Sequence, residues 1–584
     1  MHGTSVIKRK IPLTAVARVA IFPPLLLLII WTRFCFAEDT FTEQSLHSLV
    51  AQLSSASFAK KLTLVDEIEE VAGEASLPIL EAFLAGQLYY LKQEQDKVFQ
   101  AVKIEQDNYQ ILDIYTTAQV EYIDKQAFRA RYKKVRINNR LRKKIKLSLS
   151  RISLSSGSEA SKMQALNALM DGVDESSASL VESLYVKERS KPVKKLMSVV
   201  LAVHQLKQAT RGATFNQQTD DQTEKQKITQ ALDLLDGRLE VSVKVALINF
   251  KAHLEDLTAD DANYNHDLIN PLLSKTNAII HSIEEEINFF LFVEKLFFGL
   301  SLGSVLLLAA IGLAITFGVM GIINMAHGEM IMLGAYTTYV VQLLMPNLIN
   351  YSLFVAVPAA FLVAALVGIV IQRTVIRYLY GRPLETLLAT FGISLILRQA
   401  VRTLFSPLNR QVDQPSWMSG ALELNPVLSL TYNRLYILAF SLLVFIALVF
   451  VIKKTSLGLN VRAVSQNRDM AKAMGVKTEW VDALTFGLGS GVAGVAGVAL
   501  SQLTNVGPNL GQAYIIDSFM VVVFGGVGNL MGTLVASFSL GAANKFMEPI
   551  TGTVLANILV LVFIILFIQK RPRGLFPQKG RAAE

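Results

Sequence analysis

The sequence is almost devoid of sulfur chemistry: its only cysteine is Cys35. That residue lies in an expected export signal, so the mature chain is expected to hold no disulfide and no Cys-metal site. There is no G-x-x-x-x-G-K-[ST] loop to cradle nucleotide phosphates, so any ATP use must come from a separate subunit. His47, His204, His253, His266 and His281 are scattered, and none has the paired spacing of a zinc site. No nucleophile–base pair stands in the apolar runs, so an intramembrane enzyme is disfavoured and no cofactor is expected. The net charge of +9 is modest for 584 residues and comes largely from basic loops beside apolar runs, so it does not argue for nucleic acid.

What is present divides into two unlike halves. Hydrophobic residues make up 52% of the chain and charged residues 18%. Residues 38–290 are rich in Lys, Glu, Asp, Gln and Ser, whereas residues 296–570 hold long apolar runs broken by glycine. The composition shift sets the main boundary near Phe289.

Residues 1–37 read as a signal peptide. Lys8, Arg9, Lys10 and Arg18 form a positive region, Val19 to Trp31 an apolar core, and Cys35-Phe36-Ala37 a small-residue cleavage site. Cleaved or kept as an anchor, the segment places residue 40 onward outside the cytoplasm.

Residues 38–285 show helical periodicity, as in Leu46, Leu49, Val50 and Leu53, with short helices alternating with Gly, Asp or Ser turns. The expectation is an exported α-helical domain, a HEAT-like solenoid or an irregular bundle. From Lys125 to Arg151 no acid interrupts a run of Lys and Arg, a patch suited to anionic lipid headgroups, an acidic partner or plain solvation.

A helix needs roughly 20 apolar residues to cross a bilayer. Runs at 296–317, 328–345, 353–372, 384–404, 434–452, 481–502 and 551–569 qualify, and 512–546 reads as two short spans meeting at glycines. Arg373, Arg377 and Arg382, the loop Lys453–Trp480, and Lys570, Arg571 and Arg573 mark cytoplasmic sides, although Arg398, Arg402 and Arg410 fall on the outer side. The fold class expected is all-α: a polytopic membrane helix bundle of about eight or nine spans with the exported helical domain ahead of it and the C-terminus inside.

The bundle contains a repeat. Phe317-Gly318-Val319-Met320-Gly321 and Phe524-Gly525-Gly526-Val527-Gly528 both read F-G-x-x-G, and Leu333-Gly334-Ala335 and Leu540-Gly541-Ala542 come after each at the same spacing. The span count makes this a parallel repeat. Glycine-broken helices expose main-chain groups that are tolerated only beside protein or a wet cavity. Polar residues fall at the same places: Asn324, His327 and Glu329 in the first copy, Asp517, Gly525, Gly526 and Asn529 in and beside the second. They are expected along a solute pathway or, read structurally, as helix caps and turn residues.

Between the spans, Lys453–Trp480 has its own helical pattern, with Ser465 placed to cap a helix through Asp469 and Ala473, Gly475 to end it, and Thr478-Glu479 to start the next. A short rigid helix offered to the cytoplasm is what a motor subunit would grip. Arg462, Ala463, Asp469, Ala473, Met474 and Gly475 are its expected coupling residues.

These motifs resemble those of branched-chain amino-acid-type ABC permeases. The resemblance rests on Gly299-Leu300-Ser301-Leu302-Gly303-Ser304, the stretch from Phe317 to Glu329, Leu388-Ala389-Thr390-Phe391-Gly392, Arg462-Ala463 with Met474-Gly475-Val476, the second glycine motif, and Arg571-Pro572-Arg573-Gly574-Leu575-Phe576, in order over about 290–577. Within that family, the long exported domain and Val135-Arg136-Ile137-Asn138-Asn139-Arg140-Leu141-Arg142 resemble the urea permease branch. The resemblance implies an importer with a second permease subunit, two cytoplasmic ABC ATPases docking at 453–480, and a periplasmic solute-binding protein, set in the lipid of a bacterial inner membrane. The rival readings are a branched-chain amino acid permease and, from another class, a membrane-anchored periplasmic scaffold.

Overall fold

The computed structural model describes residues 45–94, 96–104, 108–116, 118–211, 222–259 and 266–576. The signal-peptide segment lies outside the described residues. The chain forms two compact units, Met1–Ile283 and Glu284–Glu584.

In the first unit a helical stretch at 45–52 comes before α1 (Phe58–Ala72) and α2 (Leu77–Leu84), followed by β1 (Leu88–Leu91), β2 (Val98–Lys103), β3 (Asn108–Asp113) and β4 (Gln119–Asp124). Next come α3 (Lys125–Arg131), β5 (Tyr132–Lys134) and α4 (Asn139–Ser156). The strands make one antiparallel sheet in the order β4-β3-β2-β1-β5. This corrects the all-α expectation. The strands carry the β-favouring aromatic and branched residues Tyr89, Tyr90, Val98, Phe99, Tyr109 and Ile111. Their turns hide the signal, because the stretches 92–97 and 113–118 hold no Gly or Pro: Lys97 N donates to the Glu94 backbone carbonyl at 3.2 Å, and the Asp113 carboxylate accepts from Tyr115 N and Thr116 N through Oδ1.

Leu64, Ile68, Leu80, Phe83, Leu141 and Ile145 join α1, α2 and α4 in one buried core. The basic run is distributed over α3, β5 and α4. Part of it is paired: Arg151 bridges Glu69 through Nε and Nη2, both at 2.7 Å, and Lys144 meets Asp66 at 2.7 Å. Helices α5 (Glu159–Met170), α6 (Glu175–Lys187), α7 (Lys191–Arg211), α8 (Gln222–Leu235) and α9 (Val241–Ala259) follow. Ser158 and Asp174 cap α5 and α6 by accepting from Ser161 N and Ser177 N.

The second unit is helical. Helix α10 (His266–Met320) leads into it, followed by α11 (His327–Leu344), α12 (Ile349–Thr374), α13 (Pro383–Phe405) and α14 (Tyr432–Lys454). Then come the short α15 (Ser456–Gln466) and α16 (Arg468–Ala473), and α17 (Thr478–Ser501), α18 (Leu510–Gly525), α19 (Leu530–Thr551) and α20 (Thr553–Lys570). A two-strand hairpin, β6 (Ala421–Glu423) and β7 (Ser429–Thr431), precedes α14.

Six of these helices, α10, α12, α13, α14, α17 and α20, are long and apolar enough to cross a membrane. Helices α18 and α19 meet at a 120° bend and add at most one more. Among the described residues, length and apolarity thus single out six or seven spans where eight or nine were expected, for two reasons. Helix α11 opens with His327 and Glu329 and does not qualify, and the 512–546 stretch is one broken element.

Helix α17 sits at the centre, nearly all of it buried. Its glycines let neighbouring backbones touch, the small-residue packing that replaces hydrophobic driving force in lipid. A Cβ on Gly489 would lie 2.7 Å from the Gly312 carbonyl of α10, and one on Gly334 of α11 would strike the Gly494 backbone.

Candidate functional site

Helix α10 ends at Met320, and Gly321 takes φ +67° to turn the chain back. The short segment to Ala326 is not helical, and side chains satisfy its amides. Asn324, only 1% exposed, accepts from Ala326 N through Oδ1 at 3.0 Å, and Met325 N donates to Thr390 Oγ1 of α13 at 3.2 Å.

Helix α11 then begins half-way along the bundle, as three contacts fix. His327 Nε2 is 2.9 Å from the carbonyl of Ala309, near the middle of the apolar part of α10. Glu329 Oε1 accepts from Ser394 Oγ at 2.9 Å, and Ser394 is the central residue of α13. Gly312, beside His327, meets Gly489 at the midpoint of α17. Helix α18 starts at the same level, because a Cβ on Gly328 would lie 2.5 Å from the Gly511 carbonyl. Two helix N-termini, each carrying positive dipole charge, thus meet within the bundle.

Around this point the polar groups converge. Glu329 is 2% exposed in the first turn of α11, where the dipole favours a carboxylate. Arg398 Nε stands 3.9 Å from Glu329 Oε1, while Arg398 Nη1 donates to Gln512 Oε1 of α18 at 2.5 Å. One turn on, Arg402 Nη2 donates to Asn509 Oδ1 at 2.9 Å. Glu329 Oε2, Arg398 Nε, Arg402 Nε and the Tyr336 hydroxyl are buried without a hydrogen-bond partner. Such groups are costly to strand in a low-dielectric interior and mark a place where a ligand's polar atoms would be accepted.

Helix α13 supplies much of this. Thr386, Thr390, Ser394, Arg398 and Arg402 recur every fourth residue, one polar stripe along a helix whose middle is otherwise apolar. The stripe is legible in the sequence. Treating Arg398 and Arg402 as loop-side exceptions to the charge rule conceals it.

The second glycine break is built differently. Asn529 accepts from Met531 N and Gly532 N through Oδ1, capping α19. The chain after α20 folds back onto the break: Leu575 N donates to Phe524 O at 2.9 Å, Phe576 N donates to Gly525 O at 3.1 Å, and Asn529 Nδ2 donates to Phe576 O at 3.2 Å. Gly526 at φ +104° and Gly574 at φ +74° sit backbone to backbone, leaving no room for a Cβ on either. The tail therefore satisfies the carbonyls of Phe524 and Gly525. The main chain at Gly525, Gly526 and Asn529 does not need a wet conduit to accommodate it. Asp517 lies elsewhere again. It lines a cavity of about 320 Å³ with Tyr514, Asn544, Lys545, Glu548 and Asn557, between α10, α18, α19 and α20. The structure thus groups Asn324, His327 and Glu329 together and separates Asp517 from Gly525, Gly526 and Asn529.

The loop between α14 and α17 holds two short helices. Thr455 caps α15 and Asn467 caps α16, by accepting from Gly458 N and Met470 N. Ser465 lies inside α15, which corrects the expected cap. Gly475 ends α16 at φ +89°, and α17 starts at Thr478. Asp469, Met470, Ala473, Met474 and Gly475 are exposed, Met474 to 80%, while Arg462 Nη1 reaches back to the Ile452 carbonyl at 3.2 Å and Ala463 is half-buried. Arginines fix the loop to the bundle. Arg468 bridges both carboxylate oxygens of Asp482, at 3.2 and 2.5 Å, and lies 4.0 Å over the Tyr380 ring. Arg373 lies 3.9 Å over Trp480. Among the described residues no cluster of His, Cys, Asp and Glu could hold a metal ion.

Residues 295–569 match the family model described as the branched-chain amino acid transport system permease component. The high-affinity branched-chain amino acid transport system permease protein LivH of Salmonella typhimurium is 30% identical over 298 residues, 49% of this chain and 96% of that protein. BraD of Pseudomonas aeruginosa, a high-affinity branched-chain amino acid permease protein, is 28% identical over 295 residues and 95% of its length. The ribose import permease protein RbsC of Escherichia coli is 26% identical over 289 residues, 48% of this chain and 85% of that protein. No solved structure matches significantly.

Proposed function

The chain belongs to the branched-chain amino acid transport system permease family, and we propose that within it this multi-pass membrane protein is the permease subunit of an ATP-driven importer of urea. The carrying observation is the pairing of Glu329 with Arg398 half-way along the bundle. The pair is electroneutral yet leaves a carboxylate oxygen and a guanidinium N–H unsatisfied. A neutral solute with adjacent N–H donors and one carbonyl acceptor matches both. Helices that start inside the bundle are where transporters place solute sites. The family match leaves about the first half of the chain uncovered, which fits the urea branch, whose exported domain precedes the permease.

In this reading residues 38–285 lie outside the cytoplasm, a solute-binding protein delivers urea, and a second permease subunit completes the passage. Two ATPases grip the exposed face of α16 and rock the bundle between outward- and inward-open states, with Asn324, His327 and Glu329 along the pathway. The test is uptake of labelled urea by cells with and without the chain, its partners intact. Unchanged uptake removes the urea assignment.

A second reading is favoured by the two helix N-termini that meet beside a carboxylate and two guanidinium groups. That setting also suits the carboxylate and ammonium of an amino acid. Competition of the same uptake by leucine selects this reading.

A further inference from the structure

In the first unit, α3 crosses one face of the sheet and leaves an open groove of about 760 Å³. Its floor is aromatic. Tyr109 stacks on Phe128 with centroids 4.0 Å apart, and Tyr132 and Tyr89 pack on the same ring at 5.3 and 5.0 Å. Its rim is cationic: Lys92 after β1, Arg129 on α3, and Lys133 and Lys134 on β5. All four are exposed, none forms an ion pair among the described residues, and no carboxylate lines the groove. Lys92 Nζ donates to the Arg129 carbonyl at 2.7 Å, which holds its charge at the rim.

We propose that this groove docks an acidic, extended segment of a partner protein. The cations come from three separate elements and surround the floor rather than converging on one point. One small anion would neutralise only part of them, whereas successive carboxylates along a strand would meet several. Tyrosine and arginine around an apolar floor are the residues that anchor protein interfaces. Strand β5 has a sheet partner on one side only, so an extended segment can lie along it. Elsewhere in the basic run, by contrast, Lys144 and Arg151 are already bound to Asp66 and Glu69.

The experiment uses the full chain in nanodiscs of phosphatidylcholine, titrated with a fluorescein-labelled octapeptide of alternating Glu and Tyr, and with its Gln–Tyr counterpart. The acidic peptide is expected to bind saturably. Binding should weaken roughly tenfold in the combined variant Arg129→Gln/Lys133→Gln/Lys134→Gln and stay within about twofold in the control Lys143→Gln/Lys146→Gln. Equal binding of the Gln–Tyr peptide, or equal loss in both variants, overturns the proposal. So does binding of phosphatidylglycerol vesicles, but not the acidic peptide, through Arg129, Lys133 and Lys134, which would make the groove a lipid site.

Discussion

Arg398 stands 3.9 Å from Glu329 through Nε while its Nη1 holds Gln512 at 2.5 Å, so one guanidinium ties α11 to α18 through α13. Removing one partner of a buried pair leaves an uncompensated charge and costs about 3–5 kcal/mol. Glu329→Gln and Arg398→Gln should each lower the thermal midpoint of the detergent-purified chain and abolish uptake. The combined variant should recover most of the midpoint without the uptake. A double variant no more stable than either single one would show that the pair is not coupled.

The docked tail makes a second prediction. Gly526→Ala places a Cβ at φ +104° against the Phe576 carbonyl. Left-handed backbone costs a non-glycine residue about 1–2 kcal/mol, and the collision adds to it. The tail should detach, and limited trypsin digestion should cut after Lys570 or Arg573 faster than in the parent chain. Gly381, also at positive φ but with open space around it, is the control, because Gly381→Ala should leave the cleavage rate unchanged.

Exposed Met474 and Met470 on the loop between α14 and α17 supply the third. On the proposed reading, Met474→Glu should leave the chain in the membrane at normal abundance and reduce uptake roughly tenfold or more, because a charge would then enter the proposed apolar contact with the ATPase. Wild-type uptake with this variant would argue that the ATPase grips elsewhere.

The fourth concerns pH. The Glu188 carboxyl is held down to about 2, chiefly by the Lys162 ammonium at 2.8 Å and then by Ser190 N. An unfolded glutamate titrates near 4.3. The contribution is therefore full above about pH 4.3 and fades as pH falls toward 2. Comparing the midpoints of wild type and Lys162→Met across that window checks it. The gap between them should be constant above about pH 5 and narrow below, and a gap that widens on acidification contradicts it.

The permease half was largely readable. Long apolar runs, glycine breaks and helix caps are local signals, and Gly475 and Thr478 end and begin helices where the residue types require. What the sequence conceals is height and partnership. Nothing local tells that His327 begins a helix inside the bundle, because that depends on Ala309, Ser394 and Gly489 arriving from other elements. Nor does the F-G-x-x-G motif reveal that its second copy is occupied by Leu575 and Phe576. The sheet of the first unit escaped because Glu94 and Asp113 make turns usually signalled by glycine.

The tail also dictates an order of synthesis. Asn529 waits for a residue 47 positions downstream, and the carbonyls closing α18 wait with it. Until the ribosome has passed Phe576, a nascent bundle holds α18 with its last carbonyls bare. The break can therefore close only after α20 has been inserted, and chains interrupted before that point should be open to quality-control proteolysis at this joint.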